Sequence, residues 1–440
     1  MIAFEQLTAG QRNAYDRSLY QIKNKKKHIL INGPAGTGKT TLTKFLIDSL
    51  VRSGESGIIL AAPTHQAKKV LAKMSGMEAA TIHSILKINP TTYEENTIFE
   101  QREIPDLASC RVLICDEWSM YDRKLFDILM NTIPSWCTVI ALGDKAQIRP
   151  VAPGDSGPVK ISPFYTDVRF EHCYLDEVMR SNAPIIEVAT EIREGGWIRE
   201  NIVDGHGVHG FTGDNALRGF MMQYFDIVRT PEDMFENRMY AYTNKSVDTL
   251  NSIIRRKIYK TEEPFIVGEV LVMQEPFMHE MTFEGKKFTE IIFNNGQQIR
   301  VLNATQTSTF LKAKGVSGEY MIRYWVLEVE SIDESEEYAK AKLNVIYDKS
   351  ELDKFHFFLA KVATAYKSGE VKAHWKDFWA AKRIFSKVKP LPVSTIHKSQ
   401  GSSVDSSFLY TPCIHMADTD LALQLLYVGS TRARNDVYFV

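Results

Sequence analysis

The chain predicts an α/β fold of doubly wound parallel sheets, carrying a small hairpin insertion early and a larger β-rich insertion late. Three observations predict it. Short apolar runs ending in polar or Gly-rich turns alternate with helical patterns at both ends of the chain. A complete phosphate loop, Gly33-Pro34-Ala35-Gly36-Thr37-Gly38-Lys39-Thr40, lies between such a run and a helix. From about Arg256 to Lys387 the texture changes to short strands with turn signals, then to a helical, Trp-containing segment.

The elements follow in order. Ile29–Asn32 reads as a strand and Thr41–Ser53 as the helix after the loop. The glycines leave room for backbone N–H groups to approach a phosphate, and the helix N-terminus adds its positive end. Lys39 reaches the β- and γ-phosphates and the Thr40 hydroxyl can ligate Mg²⁺, so the chain is expected to bind a nucleoside triphosphate, with Gly33 through Thr41 cradling it. Gly57–Ala62 is a second strand; Ser84–Asp106 reads as a hairpin-like interruption. Arg111–Cys115 is a third strand, ending in Asp116 and Glu117. At that strand end Asp116 can hold Mg²⁺ and Glu117 can take the proton of an attacking water. Thr138–Leu142 is a fourth strand, followed by Gly143-Asp144-Lys145-Ala146-Gln147, where the Gln147 amide can contact a γ-phosphate or its water. A second alternating series starts near Met239, breaks at the β-rich insertion, resumes at Pro392 and runs to Val440.

The 440 residues are too many for one ordinary core. An apolar content of 44% and a charged content of 24% are those of a soluble globular protein. No apolar run is long enough to span a membrane, and the start lacks a signal-peptide pattern, so a cytoplasmic setting is expected. The five scattered cysteines, without a C-x-x-C pair, read as reduced core residues. A net charge of −1 neither announces nor excludes a nucleic-acid partner, since a local basic groove suffices. Lys23, Lys25, Lys26 and Lys27 read as a solvated face; Lys68, Lys69 and Lys73 form a second cluster.

The motif order resembles that of superfamily 1 helicases. It runs from Gly33–Thr40 through Ala62-Pro63-Thr64-His65, Asp116–Ser119, Gly143–Gln147 and Arg180-Ser181-Asn182. Ser394-Thr395-Ile396-His397-Lys398-Ser399-Gln400-Gly401 and Leu426–Arg434 complete it, in forms similar to the RecD-like, 5′-to-3′ branch. The resemblance covers essentially the whole chain. It implies two RecA-like domains: the first over 1–180, with a pin-like insertion over 84–106, and the second over 181–255 and 388–440. An inserted SH3-like β-barrel with a helical extension would fill 256–387.

Further roles are implied by the resemblance. Gln11 matches a glutamine that reads adenine, and Arg180 and Arg432 match arginines that approach the γ-phosphate from the second domain. Pro63, Thr64, His65, Thr81 and His83 match single-strand contacts of the first domain; Asn244 and His397 match positions of the second. Phe99, read as the tip of the first insertion, resembles the aromatic of a strand-separating pin. Trp375 either stacks a base or packs between elements. Trp118 departs from the family pattern, which often has a small aliphatic there; it is expected to alter packing beneath the site and spare the acidic pair. The implied function is an ATP- and Mg²⁺-dependent DNA helicase, monomeric, moving 5′ to 3′, probing single strands and duplex junctions in phage DNA replication or recombination. Single-strand-binding and replication or recombination proteins are the expected partners. The alternatives are a translocase that mainly displaces bound proteins, a nucleotide-gated binding module without turnover, and a small-molecule kinase. The acidic pair with Arg432 argues against the module, and the two-domain motif set against the kinase.

Overall fold

The computed structural model describes residues 4–93, 96–101, 104–150, 161–178, 181–283, 286–332 and 339–440, with 89–101 and 279–290 described by backbone alone. Residues 1–250 and 393–440 form one compact unit and 251–392 a second. Helices and strands are numbered in chain order.

The first unit holds two six-stranded sheets. Its opening elements are α1 (Ala9–Asn24), β1 (His28–Asn32), α2 (Lys39–Arg52), β2 (Ile58–Ala62), α3 (His65–Ser75), β3 (Ala79–Thr81) and α4 (Ile82–Ile85). A hairpin of β4 (Ile88–Tyr93) and β5 (Asn96–Gln101) follows, then β6 (Val112–Cys115), α5 (Arg123–Thr132), β7 (Thr138–Gly143), α6 (Pro163–Thr166) and β8 (Phe170–Tyr174). The first sheet runs β3-β2-β6-β7-β1-β8, every pair parallel. Successive β1 residues serve opposite faces: Leu30 joins the core with Leu113, Phe126 and Phe164, while Ile29 and Ile31 join Leu42, Leu46 and Ile114. Both faces are covered, which is why these strands read as continuous apolar runs. All five cysteines are free and buried, as expected of reduced core residues.

The second sheet is fed by α7 (Ala183–Arg193), β9 (Asn201–Val203), β10 (His206–Gly210), α8 (Ala216–Ile227), β11 (Asn237–Ala241) and α9 (Asn244–Tyr259). In the second unit, β12 (Val270–Met273), β15 (Gln298–Leu311), β16 (Tyr320–Ser331), β17 (Lys340–Val345) and β18 (Val388–Pro390) pair antiparallel in the order β17-β16-β15-β12-β18. β13 (Phe277–Phe283) and β14 (Lys286–Phe293) form a separate hairpin. α10 (Lys349–Ser368) and α11 (Trp375–Lys382) cover a satellite core of Ile322, Phe355, Phe358 and Phe378. The chain then re-enters the first unit through β19 (Val393–Thr395), β20 (Val404–Leu409), α12 (Thr419–Ser430) and β21 (Ala433–Phe439). These complete the order β19-β11-β20-β21-β10-β9, parallel except for the β9–β10 hairpin.

One expectation is corrected here. Tyr93 pairs with Asn96 and Pro90 with Phe99, so Phe99 is the fourth residue of β5, within the paired strand and not at the tip. The Phe99 side chain lies outside the described residues.

Candidate nucleotide site and DNA-contacting residues

In a parallel sheet the ligand end is the C-terminal end of the strands, and here the sequence motifs gather there. The phosphate loop leaves β1 with the Gly33 N–H donating to Gly143 O at 3.0 Å, which ties it to the end of β7. Gly38 sits at φ 73° directly before α2, and a Cβ there would lie 2.4 Å from Gln11 Nε2. Only glycine satisfies both the left-handed backbone and that close approach. Lys39 Nζ donates to Gly33 O and Pro34 O at 2.8 and 2.9 Å, and the Thr37 hydroxyl donates to Pro34 O at 2.9 Å. Thr40 and Thr41 begin α2, half-buried beside Lys39. Gln11 is buried; its Nε2 donates to Thr37 O at 2.9 Å and its Oε1 accepts the Thr8 N–H at 2.9 Å. The residue assigned to adenine thus also caps α1 and braces the loop.

Asp116 and Glu117 follow β6, two strands from β1. Asp116 N–H donates to Ala61 O, and Asp116 Oδ1 accepts the Glu117 N–H at 3.0 Å. Glu117 occupies the left-handed region at φ 50°, ψ 49°, which costs a non-glycine residue about 1–2 kcal/mol. Its Oε2 is buried without a hydrogen bond. Two unfavourable features at one carboxylate, one in the backbone and one in the side chain, are the pattern of a functional site. Below it, Trp118 is fully buried, stacked on Tyr165 at 5.7 Å, with its Nε1 donating to Ile31 O at 3.4 Å. A Cβ on Gly143 would meet Trp118 Cδ1 at 2.7 Å, so the bulky indole takes its room from a glycine on β7.

The two sheets of the first unit meet at this site. Asp144, fully buried at the end of β7, accepts the Tyr427 hydroxyl at 2.5 Å and Arg193 at 3.4 Å, both carried by helices of the second sheet. The Tyr427 hydroxyl also accepts the Ala35 N–H of the phosphate loop at 3.3 Å. Burial first, then the Asp144 charge, raises the Tyr427 phenol well above its ordinary pKa, so it stays protonated and donates. Gln147 is buried between Ser119 and Gln400, with loose contacts of 3.4 and 3.5 Å to its Oε1. Sequence reasoning gave no role to Asp144, Arg193, Gln400 or Tyr427. Tyr427 and Gln400 stand inside quoted motifs, but nothing in their spacing says they reach another sheet. Arg432 is only 2% exposed and donates to Val428 O, Ser402 O and Thr431 Oγ1, all of its own half. It reaches none of the nucleotide-site residues through these bonds. Arg180 lies outside the described residues.

The residues matched to DNA contacts also collect at strand ends. Pro63, Thr64 and His65 follow β2, and Thr81 and His83 lie at the end of the adjacent β3. On the second sheet Asn244 follows β11 and His397 follows the adjacent β19. Thr64 and Thr81 are helix N-caps, accepting the Ala67 and Ser84 N–H groups at 3.1 and 3.3 Å. Burial is the main cause that lowers His65 to about 4, with Lys68 and Lys69 adding to it. Burial also lowers His83 and His397. These histidines are therefore neutral at pH 7, suited to hydrogen bonding and not to neutralising phosphates. In the second unit the Trp375 ring makes edge contacts with Tyr366 and Phe378, each at 5.5 Å, yet remains 37% exposed. It packs, and part of its surface stays open.

Residues 6–210 match the AAA domain family, 262–390 the Dda helicase SH3 domain and 390–440 the UvrD-like helicase C-terminal domain. The chain is 61% identical to the ATP-dependent DNA helicase dda of Enterobacteria phage T4, over the whole of both sequences. This chain belongs to the Dda helicase family. The β-rich unit of this Dda-family chain is the family's SH3 domain. A 136-residue stretch is 33% identical to the ATP-dependent RecD2 DNA helicase of Deinococcus radiodurans, covering 31% of this chain and 18% of that protein. Among solved structures, two coordinating Pif1 helicases at forked double-stranded DNA share the fold, with a TM-score of 0.54 at 17% identity, over all of this chain and 92% of the other. A Bacteroides Pif1 helicase in complex with ADP-AlF3 and single-stranded DNA matches with a TM-score of 0.51 at 17% identity and the same coverage.

Proposed function

We propose that this Dda-family chain is an ATP-dependent DNA helicase that moves 5′ to 3′ along a single strand and opens the duplex ahead of it, serving phage DNA replication or recombination in the host cytoplasm. The observation that carries the reading is the meeting of two parallel sheets at Asp144, one bearing the phosphate loop and acidic pair, the other bearing Tyr427 and Arg432 on or beside α12. The loop N–H groups and Lys39 hold the triphosphate, which requires Lys39 Nζ to exchange the Gly33 and Pro34 carbonyls for phosphate oxygens. Thr40 and Asp116 would hold Mg²⁺. A hydroxyl and a carboxylate are hard oxygen donors that suit this ion, the nucleotide and water completing its shell. Bound there, Mg²⁺ would neutralise charge on the phosphate oxygens. Glu117, whose Oε2 is not otherwise engaged, accepts the proton of the attacking water. Gln147 senses the γ-phosphate, and Arg180 and Arg432 neutralise charge as the phosphoryl group is transferred. Opening and closing of the two sheets then moves Pro63–His65, Thr81 and His83 relative to Asn244 and His397, passing the strand along.

Matched duplexes with only a 5′ or only a 3′ single-stranded tail test the reading. Unwinding confined to the 5′-tailed duplex supports it. Activity confined to the 3′-tailed duplex contradicts the direction, and protein displacement without unwinding favours a translocase.

A further inference from the structure

The Tyr427 hydroxyl spends its one proton on Asp144 Oδ2 at 2.5 Å and accepts the Ala35 N–H at 3.3 Å. Ala35 lies in the phosphate loop, so its N–H belongs to the set of donors such a loop turns toward a phosphate. Tyr427 stands on α12 of the second sheet, five residues before Arg432. Arg193, from α7 of that sheet, holds the same carboxylate at 3.4 Å, and its guanidinium lies 5.8 Å from the centre of the Tyr427 ring. One buried carboxylate of the first sheet is thus gripped by two side chains of the second, and one of these also touches the phosphate loop.

We infer that Tyr427 is a positioning residue that competes with the nucleotide phosphate for the Ala35 N–H and so couples nucleotide binding to the placement of α12 and Arg432. This rests on the ATP-site reading above. When a phosphate takes the Ala35 N–H, Tyr427 loses its phosphate-loop partner and keeps Asp144. The segment carrying Arg432 is then freed from the loop while its hold on the end of β7 persists. Arg432, buried among its own half's carbonyls, needs such a movement to reach a phosphate.

Tyr427→Phe keeps the ring and removes only the hydroxyl, which sets a readout that mere packing would not move. ADP affinity, followed with a fluorescent ADP analogue, should rise because a competitor for the N–H is gone. The single-strand-stimulated kcat should fall about tenfold because a charge-assisted hydrogen bond to Asp144 is lost. ADP affinity at or below that of the wild type, or a wild-type kcat, overturns the inference. Asp144→Asn weakens the same bond from the other side, and the double variant should be no worse than the worse single one. Additive losses also overturn it. If Tyr427→Phe does not fold, Asp144→Asn carries the kcat measurement alone. Lys39→Ala serves as the control: turnover that survives it sinks the ATP-site reading itself, whereas loss of turnover in Lys39→Ala beside a wild-type-like Tyr427→Phe sinks only the coupling.

Discussion

At the scale of single residues, Glu117 is held in a left-handed backbone with one buried oxygen unpaired. Glu117→Gln should lower kcat by about 10²–10⁴, the usual worth of a general base, while nucleotide binding persists. Its melting temperature should be no lower than that of the wild type, because a neutral amide is cheaper to bury than a carboxylate. Steady-state ATPase assays and thermal melts on one preparation check both. The histidines give a pH prediction. His28 is lowered to about 4, chiefly by burial and then by Arg169, and its Nδ1 accepts the Val139 N–H at 3.1 Å, a bond that protonation would break. His65 is likewise lowered to about 4. Below about pH 6.5 the unfolded chain takes up protons that the folded chain refuses, so stability falls with pH down to about 4 and this contribution then levels off. Melting temperature should already decline between pH 6.5 and 5, where carboxylates are still ionised. His65→Gln should flatten that slope, and an unchanged slope would show that other groups carry it.

At the scale of elements, α12 and the residues after it combine a structural and a chemical role. Arg432 satisfies the carbonyls of Val428 and Ser402, so Arg432→Ala should cost stability as well as rate. The expected loss in kcat is about 10³–10⁵, typical of an arginine finger, with nucleotide binding retained. A rise in KM alone would make it a ground-state binder. The cap on α3 sets a caution for DNA work. Thr64→Ala removes an N-cap worth about 1 kcal/mol, so weaker DNA binding in that variant needs Thr64→Ser, which keeps the cap, as its companion. For the β4–β5 hairpin, Phe99→Ala should reduce strand separation far more than DNA-stimulated ATPase, since neither Lys39 nor Glu117 is touched. Equal losses in both assays would assign Phe99 to packing the hairpin.

At the scale of the whole molecule, the two sheets repeat one arrangement. Phosphate loop, acidic pair and Gln147 follow the neighbouring strands β1, β6 and β7, while the DNA candidates follow the flanking pair β2 and β3. In the second sheet the DNA candidates likewise follow a flanking pair, β11 and β19. On the proposed reading the parallel sheet separates the two ligands along one edge, and its strands would carry movement at the nucleotide end to the DNA end. Crosslinking α12 to the β7 turn should accordingly stop translocation while single-strand binding survives. Continued movement in the locked protein, measured by displacement of a tag from the strand end, would contradict this.

The phosphate loop, the acidic strand end and the interrupted α/β alternation were determined by the sequence alone, because each depends on residues close together in the chain. Glycine placement, a strand's apolar run and the period of a helix are local quantities, and they put Lys39 in the loop and helix after one strand and Asp116 and Glu117 at the end of another. The hairpin was legible too, but not its register: the pairing of Pro90 with Phe99 puts Phe99 mid-strand, and no local pattern says so. Tertiary structure alone decided which groups meet. Asp144 and Tyr427 are 283 residues apart, and no spacing rule joins them. The burial of Trp118 depends on a glycine one strand away. The inward turn of Arg432 depends on the Ser402 carbonyl, which the chain brings beside it only when the segment before β20 packs against α12; the Val428 carbonyl that it also meets is local, one helical turn back. Contacts of this kind follow from the packing of whole sheets, which local sequence constrains only in sum.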